Sequence, residues 1–111
     1  MSNAVIVNSE SMGIGSEEVG KQILGSFFRK LAAQAERPDA MVFYNSGVKL
    51  MAEGSPFLAD LEALEKLGVD LIACGTCVVY FNLTDKIMVG RVSDMQEIAR
   101  ALVSTERVVT L

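Results

Sequence analysis

Val69-Asp70-Leu71-Ile72-Ala73-Cys74-Gly75-Thr76-Cys77 is the stretch whose reading decides the fold. Six residues, apolar but for Asp70, are bounded by Gly68 and Gly75. That run is too short for a core helix and has the length of a strand buried on both faces, as in a parallel sheet. Val69–Cys74 therefore reads as a strand that brings a thiol to its carboxyl end. Open parallel sheets place their chemistry at that edge. Cys74 and Cys77 are the only cysteines of the chain, and it has no histidine.

Working outward, β-rich runs alternate with amphipathic helical stretches, the pattern of an α/β fold with a mostly parallel sheet. A first strand is expected over Ala4–Asn8, and a Ser/Gly-rich loop over Ser9–Ser16 follows it. The next helix runs from about Glu17 to Ala35. Val19, Ile23, Phe27 and Leu31 recur every four residues there, with Leu24 and Phe28 widening the stripe. Ser16 suits its N-cap, and Glu17 and Glu18 suit the positive first turn.

Arg37-Pro38-Asp39 breaks the chain before a second strand, Ala40–Tyr44. Ser55-Pro56 opens another helix with proline at its first position, and Phe57, Leu58, Leu61 and Leu64 form its apolar face. Gly68 ends that helix. Gly75–Leu83 reads as a short helix or turn, and Ile87–Val92 as a short strand. Ser93-Asp94-Met95-Gln96 matches a capping box before a helix burying Met95, Ile98, Ala99, Leu102 and Val103. Val108–Leu111 is the closing strand. The sum is one domain over 1–111, a flavodoxin-like three-layer α/β sandwich with a five-stranded, mostly parallel sheet.

Composition narrows the chemistry. The chain has 111 residues and is 50% hydrophobic, enough to bury roughly 60–70% of its unfolded surface without staples. With no histidine, Cys–His and Ser–His dyads and the commonest transition-metal ligand are excluded. A net charge of −4 with scattered basic residues argues against nucleic-acid binding. No apolar run approaches the ~20 residues that span a bilayer, and Met1-Ser2-Asn3-Ala4 lacks a basic leader region. A cytoplasmic location is the expectation, and there a CxxC pair points to redox or metal chemistry rather than a staple.

If a short helix starts near Gly75 or Thr76, Cys74 faces its unpaired N–H groups, and partial positive charge there favours thiolate. Gly75 allows close backbone approach, and Thr76 offers a hydroxyl to a sulfur anion. The bland alternative is two small core residues at a buried corner. A structural zinc would need four ligands, so two subunits would have to share it. A thioredoxin-type reading lacks its cis-proline, because Pro38 and Pro56 are the only prolines and neither precedes a late strand.

Ser11-Met12-Gly13-Ile14-Gly15-Ser16 has a Gly-x-Gly but neither a third glycine nor a Gly-Lys-Ser/Thr ending. A tight turn into a helix is favoured over a phosphate cradle. Asn45-Ser46-Gly47-Val48-Lys49-Leu50 follows the second strand and belongs on the same edge as Cys74. Asn45 and Gly47 suit a sharp turn, and Lys49 could stabilise a thiolate or persulfide or merely be solvated. Val78-Val79-Tyr80-Phe81 is dense enough in apolar residues to leave part of itself for a subunit contact.

Several of these segments, taken together, resemble the DsrE/DsrF-like family. They are Gly13-x-Gly15 before Glu17-Glu18-Val19-Gly20-Lys21, Phe43-Tyr44-Asn45-Ser46-Gly47-Val48-Lys49-Leu50, and Cys74-Gly75-Thr76-Cys77. Asp85-Lys86, Val89-Gly90, Val92-Ser93-Asp94-Met95 and Arg107-Val108-Val109-Thr110-Leu111 extend the likeness over essentially the whole chain. It is most similar to the carboxyl-terminal domain of YedF-type, sulfurtransferase-like selenium-metabolism proteins. Those usually carry an amino-terminal TusA-like domain, so the chain is expected to be a stand-alone homologue or an excised domain.

The resemblance implies a homo-oligomer, trimer or hexamer, with the strand-end cysteine near subunit contacts. It implies that Cys74 carries sulfane sulfur as a persulfide, with Cys77 as a resolving thiol and Asn45 and Lys49 as neighbours. The expected function is a sulfur relay with no cofactor and no metal, served by a donor or acceptor such as a cysteine desulfurase or a TusA-like protein. The alternative is a non-catalytic oligomeric binding module whose cysteines are structural or redox-sensing.

Overall fold

The computed structural model describes residues 2–111. Five strands form one sheet: β1 (Asn3–Val7), β2 (Ala40–Phe43), β3 (Asp70–Cys74), β4 (Arg91–Ser93) and β5 (Arg107–Thr110). Their order is β4-β3-β2-β1-β5, and every neighbouring pair is parallel. The helices are α1 (Glu17–Ala32), α2 (Leu58–Lys66), α3 (Gly75–Tyr80) and α4 (Met95–Ser104), with a 3-10 helix over Asn45–Met51 between β2 and α2. The result is the flavodoxin-like α/β sandwich that the alternating runs imply.

The three layers follow from connectivity. From β1 to β4 the chain steps one way across the sheet, so right-handed crossovers put α1 and α2 on one face. The two helices meet through Arg29 and Asp60, 3.8 Å apart, and through the Phe28 and Phe57 rings, 5.9 Å between centroids. From β4 to β5 the chain runs back across the sheet, which puts α4 on the opposite face. Side chains agree: Asp70, Arg91 and Ser93 share one face by register, and Arg91 and Ser93 both bond Glu97 of α4. Cys74, in register with Ser93, shares that α4 face. The core is built from both faces of β1–β3 (Val5, Val7, Met41, Val42, Phe43, Leu71 and Ile72 among them), with Leu24, Phe28, Leu61, Leu64 and Ile98 from the helices.

Several boundaries and faces differ from expectation. β1 covers Asn3–Val7, α1 stops at Ala32, and β5 covers Arg107–Thr110. Val19 and Ile23 are not on the buried line of α1; both are exposed, and Gly20, Leu24, Gly25 and Phe28 face inward. The reason is close approach at two glycines. A Cβ at Gly20 would lie 1.9 Å from the Ser11 hydroxyl, and one at Gly25 would lie 2.6 Å from the Phe57 ring.

Ser55-Pro56 forms a turn before α2 rather than its first turn: the Phe57 N–H bonds the Ser55 hydroxyl, and Phe57 is the N-cap. β4 is confined to Arg91–Ser93. Ile87 makes an antiparallel bridge to Ala52, and the chain reaches the sheet only after a turn at Gly90, φ 73°. A Cβ at Gly90 would lie 2.6 Å from the Leu71 carbonyl oxygen, so glycine is needed for that entry.

The cap of α4 is Asp94, whose carboxylate accepts from the Glu97 N–H at 2.9 Å. The expected box is therefore displaced by one residue. On that helix only Ile98 is fully buried; Leu102 is partly buried, and Met95, Ala99 and Val103 are exposed. Among the described residues α4 is the helix on that face, and several of its apolar side chains stay exposed. Among the described residues no helix is long and apolar enough to cross a membrane.

Candidate functional site

β3 delivers Cys74 to the carboxyl edge, and the chain turns at once into α3, which presents Cys77 three residues later. Gly75 makes this turn possible. A Cβ there would meet the Ser93 carbonyl oxygen at 2.9 Å, so its close approach is to β4 and not to a ligand. Cys74 is the N-cap residue of α3, yet its side chain accepts no capping hydrogen bond, leaving the sulfur uncommitted to the helix. Both cysteines are free thiols.

β2 ends beside β3, and its continuation supplies the other wall. Phe43 pairs with Ala73, so Tyr44 and Asn45 emerge level with Cys74. Asn45 takes a left-handed conformation, φ 50°, which asparagine tolerates better than most residues. Its main-chain N–H donates to the Cys77 sulfur at 3.0 Å. Gly47 seats this turn: a Cβ there would lie 2.2 Å from the Val7 carbonyl oxygen.

The two thiols open into a cleft of about 680 Å³ lined by Tyr44, Asn45, Cys74, Thr76, Cys77, Tyr80, Phe81 and Met95. No lining residue is charged. Cys74 is only 2% exposed, whereas Cys77 is half-buried. Burial pushes the Cys77 thiol above its ordinary value, and the hydrogen-bonded Cys74 sulfur adds to this; the Asn45 N–H pulls the other way without reversing it. Both effects penalise or favour the charged form, and desolvation is the larger.

Cys74, Cys77, Thr76 and Asn45 are thus brought to one cleft. Lys49 is not among its lining. Its ammonium lies 3.7 Å from the Glu10 carboxylate and 4.5 Å from the centre of the Phe81 ring, on the far side of that aromatic wall. Tyr44 and Met95 also line the cleft, and no motif in the sequence marks either as part of a site. Each is the first residue beyond a strand or cap on the active edge, and that position was the available signal. The Gly13–Ser16 turn takes no part: Ser16 caps the Val19 N–H, and the Met12 N–H bonds the Gly20 carbonyl. Among the described residues no group of three or more potential ligands is placed to hold a metal ion.

A family model described as the DsrE/DsrF-like family matches residues 14–111. The fold is shared with solved structures that cover the chain almost end to end. The ychN protein from E. coli is 21% identical with a TM-score of 0.74, each chain covered over 100% of its length. MTH1491 from Methanobacterium thermoautotrophicum, titled a protein of unknown function, is 20% identical with a TM-score of 0.72, again over 100% of both chains. BT1422 from Bacteroides thetaiotaomicron is 14% identical with a TM-score of 0.71, over 99% of this chain and 95% of that one. Among curated proteins nothing matches. The chain belongs to the DsrE/DsrF-like family.

Proposed function

We propose, from this membership and from the cleft, that the protein is a sulfur-relay carrier that holds sulfane sulfur as a persulfide on the Cys74–Cys77 pair. One observation carries the reading: two unbridged thiols face one uncharged, largely apolar cleft at the carboxyl edge of the sheet. Cys74 is the strand-end carrier. A donor persulfide passes its outer sulfur to a cysteine thiolate; the donor leaves as a thiolate and takes the proton. The reverse step loads an acceptor thiol. Attack of Cys77 on the inner sulfur of a Cys74 persulfide instead forms the Cys74–Cys77 disulfide and expels hydrosulfide, so the pair reduces the sulfur by two electrons.

The cleft's apolar wall favours a donor or acceptor carried on a protein, such as a cysteine desulfurase or a TusA-like protein. Val79 and Tyr80 of α3 are exposed, Tyr80 at the cleft itself, which supports a subunit contact at the cleft in a homo-oligomer. The test is intact mass after incubation with a cysteine desulfurase and cysteine. The wild type gains the mass of one sulfur, and the Cys74→Ser/Cys77→Ser double variant gains none. An adduct of equal size on both would sink the reading.

A further inference from the structure

Two sulfurs in one cleft can act in either order, and their surroundings are not alike. Cys74 ends a strand buried on both faces and is 2% exposed. Cys77 lies one helical turn on, half-buried, facing the same cleft and receiving the Asn45 N–H at 3.0 Å. Sulfur exchange requires the attacking sulfur to reach the far side of the bond it breaks, so access governs which thiol can meet a sulfur borne on another protein. A hydrogen bond to the sulfur also helps whichever thiol must be an anion, both when it attacks and when it leaves.

We propose that Cys77 is the entry and exit thiol and that Cys74 is the shielded store to which it passes the sulfur. This assignment rests on the sulfur-carriage reading above. In the first step the Cys77 thiolate attacks the outer sulfur of a donor persulfide. A bond forms between Cys77 Sγ and that sulfur, the donor's sulfur–sulfur bond breaks, and the donor thiolate takes up the proton Cys77 released. In the second step Cys74, giving up its own proton, attacks the same outer sulfur. The bond to Cys77 breaks, and Cys77 leaves as a thiolate beside the Asn45 N–H before taking up that proton. Nothing is oxidised or reduced overall, because sulfane sulfur moves from one thiol to the next. Export runs the two steps backwards.

Burial and Cys74 hold Cys77 protonated in the resting protein, so its attack waits on ionisation within the cleft. The Asn45 N–H at 3.0 Å is the local aid to ionisation of this half-buried thiol.

The test follows loading by a persulfide-bearing cysteine desulfurase, using quenched intact mass with the site mapped by peptide fragmentation. Wild type, Cys77→Ser, Cys74→Ser and Cys74→Ala are compared, the last because a buried serine hydroxyl lacks a partner. Both Cys74 variants are expected to acquire one sulfur, mapped to Cys77, and Cys77→Ser to load about tenfold more slowly than wild type. Loaded Cys74→Ala should then lose its sulfur to glutathione about tenfold faster than loaded wild type, because its sulfur is not shielded. Wild-type loading of Cys77→Ser, with none of either Cys74 variant, would overturn the order and leave sulfur carriage standing. No loading of the wild type would overturn both.

Discussion

The main-chain N–H of Asn45 points at the sulfur of Cys77, 3.0 Å away and 32 residues later in the chain. Two neighbouring parallel strands make this meeting possible. β3 runs one residue past the end of β2, so the first residue pair beyond β2 lies beside the start of α3. The left-handed turn at Asn45 aims the amide, and the Gly47 contact with Val7 seats it.

The ionisation of Cys77 should report this environment. Its folded pKa is raised chiefly by burial and then by Cys74. Alkylation of Cys77 in the native protein should therefore show a midpoint above that of the unfolded chain, and Cys74→Ala should lower it. The linked stability is present below the unfolded pKa and is lost as pH rises through the folded one, because the native state holds the proton longer. A midpoint for Cys77 alkylation that does not move in Cys74→Ala would contradict the shared ionisation.

Asn45 sits where a side chain is tolerated only with difficulty. Asn45→Gly should keep the amide in place and cost less than about 1 kcal/mol, whereas Asn45→Val should cost about 1–2 kcal/mol through the left-handed backbone. Urea denaturation of the two variants separates these outcomes. Equal stability would mean that the turn is not held in that conformation.

Gly47→Ala places a methyl against main-chain atoms that no rotamer change can move: 2.2 Å from the Val7 oxygen and 3.0 Å from its carbon. The expected cost is about 1–3 kcal/mol or more. Because the same turn positions the Asn45 amide, the variant should also change the pH midpoint of Cys77 alkylation. A Tm within 1–2 °C of wild type, a shift of well under about 1 kcal/mol, would refute the contact.

Acid should loosen the β4–α4 junction. Arg91 bonds Asp70 at 2.9 Å and Glu97 at 2.7 Å, and this pairing with the Ser93 hydroxyl lowers the Glu97 pKa from 4.5 to about 2. A depressed folded pKa contributes stability above the unfolded value that is lost as pH falls through the folded one. The urea midpoint of the wild type should fall between pH 4.5 and about 2. Glu97→Gln should be less stable at pH 7 and should show a shallower fall over that window. Parallel pH profiles of the two proteins would count against the pairing.

Much of the frame was legible because its signals are local. Short apolar runs, the Ser16 cap and the glycine after α2 depend on near neighbours, and all appear where periodicity places them, within a few residues. Less legible was anything set by close approach. The inward face of α1 turned on which residue of the Ser9–Gly15 loop would reach Gly20, and the late start of β4 turned on Gly90 meeting Leu71. The place of Lys49 after β2 predicts a neighbour of the thiols, but its partners are Glu10 and Phe81.

By itself, the sequence determined an α/β chain with a parallel sheet and a thiol pair at a strand's carboxyl end, because alternation of apolar runs and the spacing of two cysteines are properties of the chain alone. Tertiary structure decided the rest of the site: which cysteine is shielded, which amide faces the other, and which aromatic side chains wall the cleft. Those depend on the level at which β2 and β3 end and on α4 lying across the opposite face from α1 and α2, relationships among segments 30 or more residues apart that no local pattern encodes.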